Sequence, residues 1–127
     1  MAGFVTNIEE DTEKNDFFRK VLFTAPKSQL VVMSLKPGEE IGMEVHELDQ
    51  FIRVEHGEGK AILDGEEFEL RDGSAVVIPT GTNHNIVNTS MEHPMKLYTV
   101  YSPPEHEDGT VHETKAEADA AEEEHGH

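Results

Sequence analysis

Apolar residues in the middle of the chain come in short runs, and Gly, Pro, Asn or Asp interrupt them about every ten residues. Val, Ile, Leu and Phe dominate the runs, as is typical of β-strands. Asp64-Gly65 between two runs is a strong hairpin signal. The pattern predicts an all-β sandwich or barrel with strands within "FFRKVLFT" (17–24), "SQLVVMSL" (28–35), "IGMEVH", "QFIRVEHG", "GKAILDG", "EEFELRDG", "SAVVIP", "HNIVN" and "KLYTVYS".

The two ends of the chain lack this pattern. The stretch "NIEEDTEKND" near the N-terminus predicts a short helix. Near the C-terminus, Thr114 and Glu117 have the spacing of a capping box. The Ala- and Glu-rich segment that follows shows no apolar face, so we expect a solvated helix or a disordered tail. We therefore divide the chain into an N-terminal extension (1–16), a barrel (17–103) and an acidic tail (104–127).

The charge of the chain limits its partners. Ten Lys and Arg against 27 Asp and Glu give a net charge of −17 over 127 residues. Such a surface repels phosphate backbones and anionic lipids, so we expect no nucleic-acid or membrane partner. The chain has no Cys, and its first residues show no signal peptide, which together favour a cytoplasmic location.

Alternation along two of the predicted strands places polar residues on an apolar face. Gln50 shares its face with Ile52 and Val54, because neighbours two apart in a strand point the same way. By the same spacing, Glu44 and His46 share a face. A strand pair could thus present Glu44, His46 and Gln50 together to the interior, where polar groups need partners.

Two sets of spacings around these residues resemble a known family. From Gly38 the chain reads G-x5-E-x-H-x3-Q-x6-G, ending at Gly57. From Gly73 it reads G-x5-P-x-G-x2-H-x3-N, ending at Asn88. These strings resemble the two motifs of the cupin superfamily, G-x5-H-x-H-x3,4-E-x6-G and G-x5-P-x-G-x2-H-x3-N. The second motif matches at every defined position, and the first departs at two of its three ligand positions.

The resemblance implies a double-stranded β-helix (jelly-roll) barrel with a divalent metal at its mouth. Carried over by position, the metal ligands are Glu44, His46, Gln50 and His84, with Glu44 in place of a His and Gln50 in place of a Glu. The set keeps one carboxylate, and it suits Fe, Mn, Zn or Ni. Gln50 could instead lie outside the ligand shell, and some barrels of this type hold no metal. Glu47 and Asp49 should face solvent.

Further catalytic candidates lie near the last strand. Besides Glu44, we take Tyr98, which shares a face with Val100 while Tyr101 takes the other, with barrel packing as the alternative role. We also take His106, on a segment (101–115) that could fold back over the barrel mouth or pack on its outside.

The resemblance and the residues together predict a metal-binding protein that acts on a small-molecule ligand inside the barrel. Small proteins of this type are often grouped with sugar isomerases, whereas the apolar inner face (Ile52, Val54, Ile86 and Val77) suits an Fe(II)-dependent dioxygenase. A non-catalytic ligand- or metal-binding module is the third reading. Adjacent Phe17 and Phe18 offer an apolar edge that predicts a homodimer.

Overall fold

A computed structural model describes residues 2–125, and the side chains of residues 2–122. This part of the chain forms nine strands and two helices, separated mostly at the predicted turn residues. In chain order they are α1 (Ile8–Lys14), β1 (Arg19–Thr24), β2 (Gln29–Leu35), β3 (Asp49–His56), β4 (Gly59–Leu63), β5 (Glu66–Leu70), β6 (Ala75–Ile78), β7 (His84–Asn88), β8 (Met95–Ser102), β9 (Val111–His112) and α2 (Lys115–His125).

The strands form two antiparallel sheets. The larger has the order β6-β3-β8-β2-β1-β9, and the smaller has the order β5-β4-β7. The predicted strand "IGMEVH" is not a regular strand, because only two isolated bridges, Glu40 to Val87 and Glu44 to His84, attach this segment to β7. The all-β jelly-roll fold is confirmed.

The core lies between the sheets and is built from alternate strand positions. Ile52, Val54 and Ile86 are at most 1% exposed, as the alternation predicts. Val77 was wrongly assigned to the inner face. It is 66% exposed, because its neighbours Val76 and Ile78 take the buried positions of β6.

The Asp64-Gly65 hairpin is confirmed. Both residues have positive φ, 49° and 86°, and they connect β4 directly to β5. Two consecutive positive φ values are the geometry of a type I′ turn, whose twist matches that of the strands it joins. The short helix near the N-terminus is confirmed as well, with Asn7 as its N-cap.

The C-terminal segment is more closely bound to the barrel than the sequence predicts. Its strand β9 pairs with β1 and extends the larger sheet. The capping box of α2 is confirmed, since the backbone N–H of Glu117 donates to Thr114 Oγ1 and that of Thr114 to Glu117 Oε2. The expectation of a fully solvated helix is wrong, because Ala118 is only 3% exposed and packs on the core.

The apolar edge that suggested a homodimer is covered within the chain. Phe18 is 3% exposed in the core, and β9 pairs with the outer edge of β1. The homodimer therefore stays a prediction without this support. Among the described residues, no helix combines the length and the apolar character needed to cross a membrane.

Candidate metal centre

Backbone pairing places Glu44 beside His84. The two residues exchange both backbone hydrogen bonds, at 2.8 and 2.9 Å, where the segment before β3 bridges to the start of β7. Residues that face each other in this way project their side chains to the same side. His46, two residues after Glu44, adds its ring to the same cluster, and its ring centroid lies 5.2 Å from that of His84.

Donor atoms of Glu44, His46 and His84 converge within 4.8 Å of one another. Glu44 Oε1 lies 3.5 Å from His46 Nε2 and 4.0 Å from His84 Nε2. Both histidine side chains are largely buried, at 11% and 4% exposed. The structure thus brings together three of the four predicted ligands with donor atoms directed at a common space.

The polar neighbours of the two imidazoles indicate which nitrogen carries the proton in the neutral ring. His84 Nδ1 lies 2.9 Å from the carbonyl oxygen of Thr82. A carbonyl only accepts, so Nδ1 carries the hydrogen and Nε2 keeps its lone pair. His46 Nδ1 lies 3.4 Å from Glu105 Oε2, which favours the same tautomer. Both Nε2 atoms are then free to act as metal ligands.

Gln50 points inward from β3 and is 4% exposed. Its amide nitrogen donates to Thr99 Oγ1 at 3.0 Å. Within the described side chains its Oε1 is buried without a hydrogen-bond partner, as are Nε2 of His46 and of His84. Buried polar atoms of this kind are rare and call for a partner. The residues present therefore fit a cation, which the Glu44 carboxylate and the two imidazole nitrogens could ligate together.

The charges at the cluster act on its ionisable groups. The carboxylate of Glu44 is the main cause that raises the pKa of His46, and Glu105 adds to it against the opposing effect of burial. Burial raises the pKa of Glu105, although His46 opposes this. An imidazole between two carboxylates attracts positive charge, whether a proton or a metal cation supplies it.

The structure places Tyr98, which we predicted to be catalytic, away from the cluster. Its ring packs on Phe51, 6.2 Å between centroids, on the outer face of the larger sheet. Tyr101 takes the inner face instead, is 2% exposed, and sets its ring edge-on to His46 at 6.1 Å. Burial raises the pKa of Tyr101, so its hydroxyl stays protonated. The alternation separated the two tyrosines correctly, but only the register of β8 against β3 shows which face is inside.

The segment after β8 folds back to the cluster and carries Glu105 there. His106 lies beyond it, with its ring edge-on to Tyr101 at 5.2 Å. Burial, followed by the nearby charge of Arg19, lowers the pKa of His106 to about 3. His106 is thus neutral at physiological pH. Glu47 and Asp49 are exposed, as predicted.

Arg19 is a buried residue that the sequence did not single out. It opens β1, is 5% exposed, and its NH1 lies 3.2 Å from His112 Nδ1. A basic residue at a strand end has no distinctive pattern, and its burial depends on β9 and α2, which come from the other end of the chain.

Comparisons with known proteins agree with this geometry. The family described as Cupin domain matches residues 31–101. YrkC of Bacillus subtilis (strain 168) is 47% identical over 126 residues, covering 94% of this chain and 67% of that protein. The crystal structure of BH2720 from Bacillus halodurans has a TM-score of 0.90 at 47% identity, covering 92% of this chain and 93% of that one. KdgF from Halomonas sp. has a TM-score of 0.63 at 28% identity, over 68% and 78%.

Proposed function

The chain belongs to the cupin family, and on that premise we propose that it is a metal-dependent enzyme acting on a small molecule at the barrel mouth. In this proposal Glu44, His46 and His84 hold a divalent transition metal, and Gln50 supplies a fourth, oxygen ligand. The reaction we favour is isomerase-like, with proton transfer on an oxygen-bearing substrate such as a sugar.

One observation carries the proposal. Two buried imidazole nitrogens without hydrogen-bond partners face one carboxylate, at 3.5 and 4.0 Å. Desolvating such a set is costly unless a cation compensates it. The ligand set would carry a charge of about −1, so a bound divalent cation would leave net positive charge to attract an anionic substrate oxygen.

Each residue of the centre has a role in this proposal. A divalent cation held there would polarise a substrate oxygen. Glu105, whose Oε2 lies 3.4 Å from His46 Nδ1, favours the proton on that nitrogen and so keeps Nε2 available, as carboxylates next to metal-binding histidines commonly do. Tyr101, whose ring lies edge-on to His46 and whose hydroxyl stays protonated, could donate a hydrogen bond to substrate.

Elemental analysis of the full chain tests the metal directly. After reconstitution with Fe(II), Mn, Zn or Ni and removal of excess ion, the wild type should retain one equivalent of at least one metal. His84→Ala should retain none, while His93→Ala, an exposed histidine outside the cluster, should match the wild type. A wild type without stoichiometric metal would sink the proposal.

Fe(II)-dependent dioxygenation is the second candidate. Two histidines and one carboxylate are the set typical of non-haem Fe(II) oxygenases, and the structure groups three such residues together. The interior behind them is apolar, with Ile52, Val54 and Ile86 almost fully buried. Such a surface suits a diketone or a phenol better than a sugar.

Two measurements separate the candidates. Incorporation of solvent deuterium into an aldose or ketose by the metal-loaded protein would support isomerisation. Oxygen uptake by the Fe(II)-loaded protein on addition of a diketone or phenol would support dioxygenation. Saturable ligand binding without turnover under any metal would instead identify a binding module.

A further inference from the structure

Arg19 is a buried cation that has no carboxylate partner among the described side chains. Its side chain is 5% exposed, and none of the ion pairs in that part of the molecule includes it. Its Nε is buried without a hydrogen-bond partner. Its guanidinium carbon lies 5.2 Å from the centre of the Phe18 ring, but burying an arginine without a carboxylate counterion is still costly. In a chain with 27 acidic residues, the lack of a paired carboxylate is all the more unusual.

Arg19 lines a cleft between β1, the segment after β8 and α2. The cleft has a volume of about 550 Å³, enough for a small molecule, and Glu105, His106, His112 and Ala118 also line it. His106 Nε2 is a second buried atom there without a partner. Arg19 NH1 donates to His112 Nδ1, which must therefore be the unprotonated nitrogen of a neutral ring. The two histidines thus leave the positive charge to Arg19.

The cleft adjoins the metal centre. Glu105 lines it and also lies 3.4 Å from His46 Nδ1. The ring of Tyr101 contacts His46 on one side and His106 on the other. The cleft and the metal centre therefore share Glu105, and Tyr101 packs between their histidines.

We propose that Arg19 is the anion anchor of the substrate site, and that the substrate is a small carboxylic acid whose carboxylate binds the Arg19 guanidinium while its other oxygen-bearing end faces the metal centre. This inference rests on the proposed function and specifies its substrate class. A guanidinium fork matches a planar carboxylate through paired hydrogen bonds. The carboxylates of Glu105, Glu107 and Glu122 around the cleft would repel a doubly charged phosphate more than a singly charged carboxylate.

Arginine side-chain NMR tests the anchor on the metal-free full chain. The protein has three arginines, Arg19, Arg53 and Arg71, so its Nε–H region is simple, and Arg19→Lys assigns the relevant signal. Titration with sodium glycolate or pyruvate at constant ionic strength should shift the Arg19 Nε–H signal saturably and leave Arg53 and Arg71 in place. Inorganic phosphate should bind more weakly.

Two variants and a matched control complete the test. Arg19→Gln should weaken glycolate and pyruvate binding at least about tenfold, and Arg19→Lys, which keeps the charge, should lie between it and the wild type. Arg53→Gln removes an outer-face arginine paired with Glu55 at 2.7 Å and should bind like the wild type. All three variants should keep stoichiometric metal, which shows that the centre is intact.

The outcomes separate this inference from the function on which it rests. No carboxylate shift at Arg19, a tighter shift with phosphate, or equal binding by Arg19→Gln would overturn the anchor, even if the wild type holds metal. A carboxylate that moves Arg19 in a protein that never retains metal would uphold the anchor and overturn the metal-dependent function.

Discussion

Buried polar groups at the two ends of β8 differ in whether they have hydrogen-bond partners. At its start, Lys96 is 7% exposed, and its ammonium donates to the backbone oxygen of Asn15 and to Asp16 Oδ1, the latter at 2.8 Å. At its end, Tyr101 lies among buried atoms of His46 and His106 that have no hydrogen-bond partner in the described part of the chain.

The contrast supports the proposal that ligands bind at the Tyr101 end of β8. Lys96 and Arg19 are both buried cations on the larger sheet, but only Lys96 has its carboxylate. The closed end around Lys96 fastens α1 to the barrel, and its polar groups are satisfied. The open end around Tyr101 contains buried polar groups without partners, which is energetically unfavourable in the free protein. Sites that bind ligands commonly contain such groups.

Disturbing the packing near the closed end should lower the stability of the fold. A Cβ on Gly59 would lie 2.1 Å from the backbone oxygen of Val87 and 2.2 Å from Met95 Cε. The Met95 side chain could move, but the β7 backbone could not without breaking its pairing with β4. We expect Gly59→Ala to lower the free energy of unfolding by about 3 kcal/mol or more, measured by urea denaturation.

Gly73→Ala is the control for this experiment. A Cβ at Gly73 meets nothing within 4 Å, but its φ of 86° strains any other residue, so we expect a loss of about 1 kcal/mol. Equal losses in the two variants would mean that the close approach at Gly59 relaxes at little cost, and that the closed end is less rigid than its contacts indicate.

The open end should lose its ligand, not its fold. We expect His46→Ala to weaken metal binding at least about a hundredfold, because it removes one of three converging donors. Gln50→Ala should cost about tenfold or less, since a neutral amide oxygen is a weaker donor. Both affinities are measured by competition with a coloured chelator.

Unfolding of the metal-free variants controls for structural damage. The His46→Ala substitution removes a partner from Glu44 and Glu105, so we expect a moderate change in stability. The far-UV circular dichroism spectrum of this variant should still match that of the wild type. Equal losses of metal affinity in the two variants would make Gln50 a full ligand. No loss in either would place the metal elsewhere.

The sequence was sufficient for the parts of the site that depend on local spacing. Alternation put Gln50 on the apolar face of β3, and motif spacing singled out Glu44, His46 and His84, which the structure brings together. The strands between Gly and Pro punctuation were located within a few residues of their observed bounds.

The missed features depend on contacts between distant parts of the chain. Gly59 gives no local signal, because its constraint comes from β7 and β8. The two-residue strand β9 is too short for a periodic pattern, yet it covers Arg19 through His112. Tyr98 was preferred over Tyr101 because alternation gives two faces without saying which is buried. Only the pairing of β8 with β3 settles that choice.

The smallest effect that distinguishes the two ends concerns acid stability. The pKa of His106 is about 3 in the folded protein, below the ordinary value of 6.5 expected when unfolded. Between these pH values His106 is protonated in the unfolded chain and neutral in the folded chain. The free energy of unfolding therefore falls as the pH decreases from 6.5 towards 3. His106→Phe keeps an aromatic ring against Tyr101 and removes this titration. Its unfolding free energy should therefore fall less steeply with acid, by up to about 1.4 kcal/mol per pH unit.

Denaturation of the chelator-treated protein across this range measures the slope, and His93→Phe, at an exposed position, should match the wild type. Parallel slopes for His106→Phe and the wild type would contradict this prediction. They would mean that folded His106 takes up a proton about as readily as the unfolded chain does, despite its burial and the nearby positive charge of Arg19.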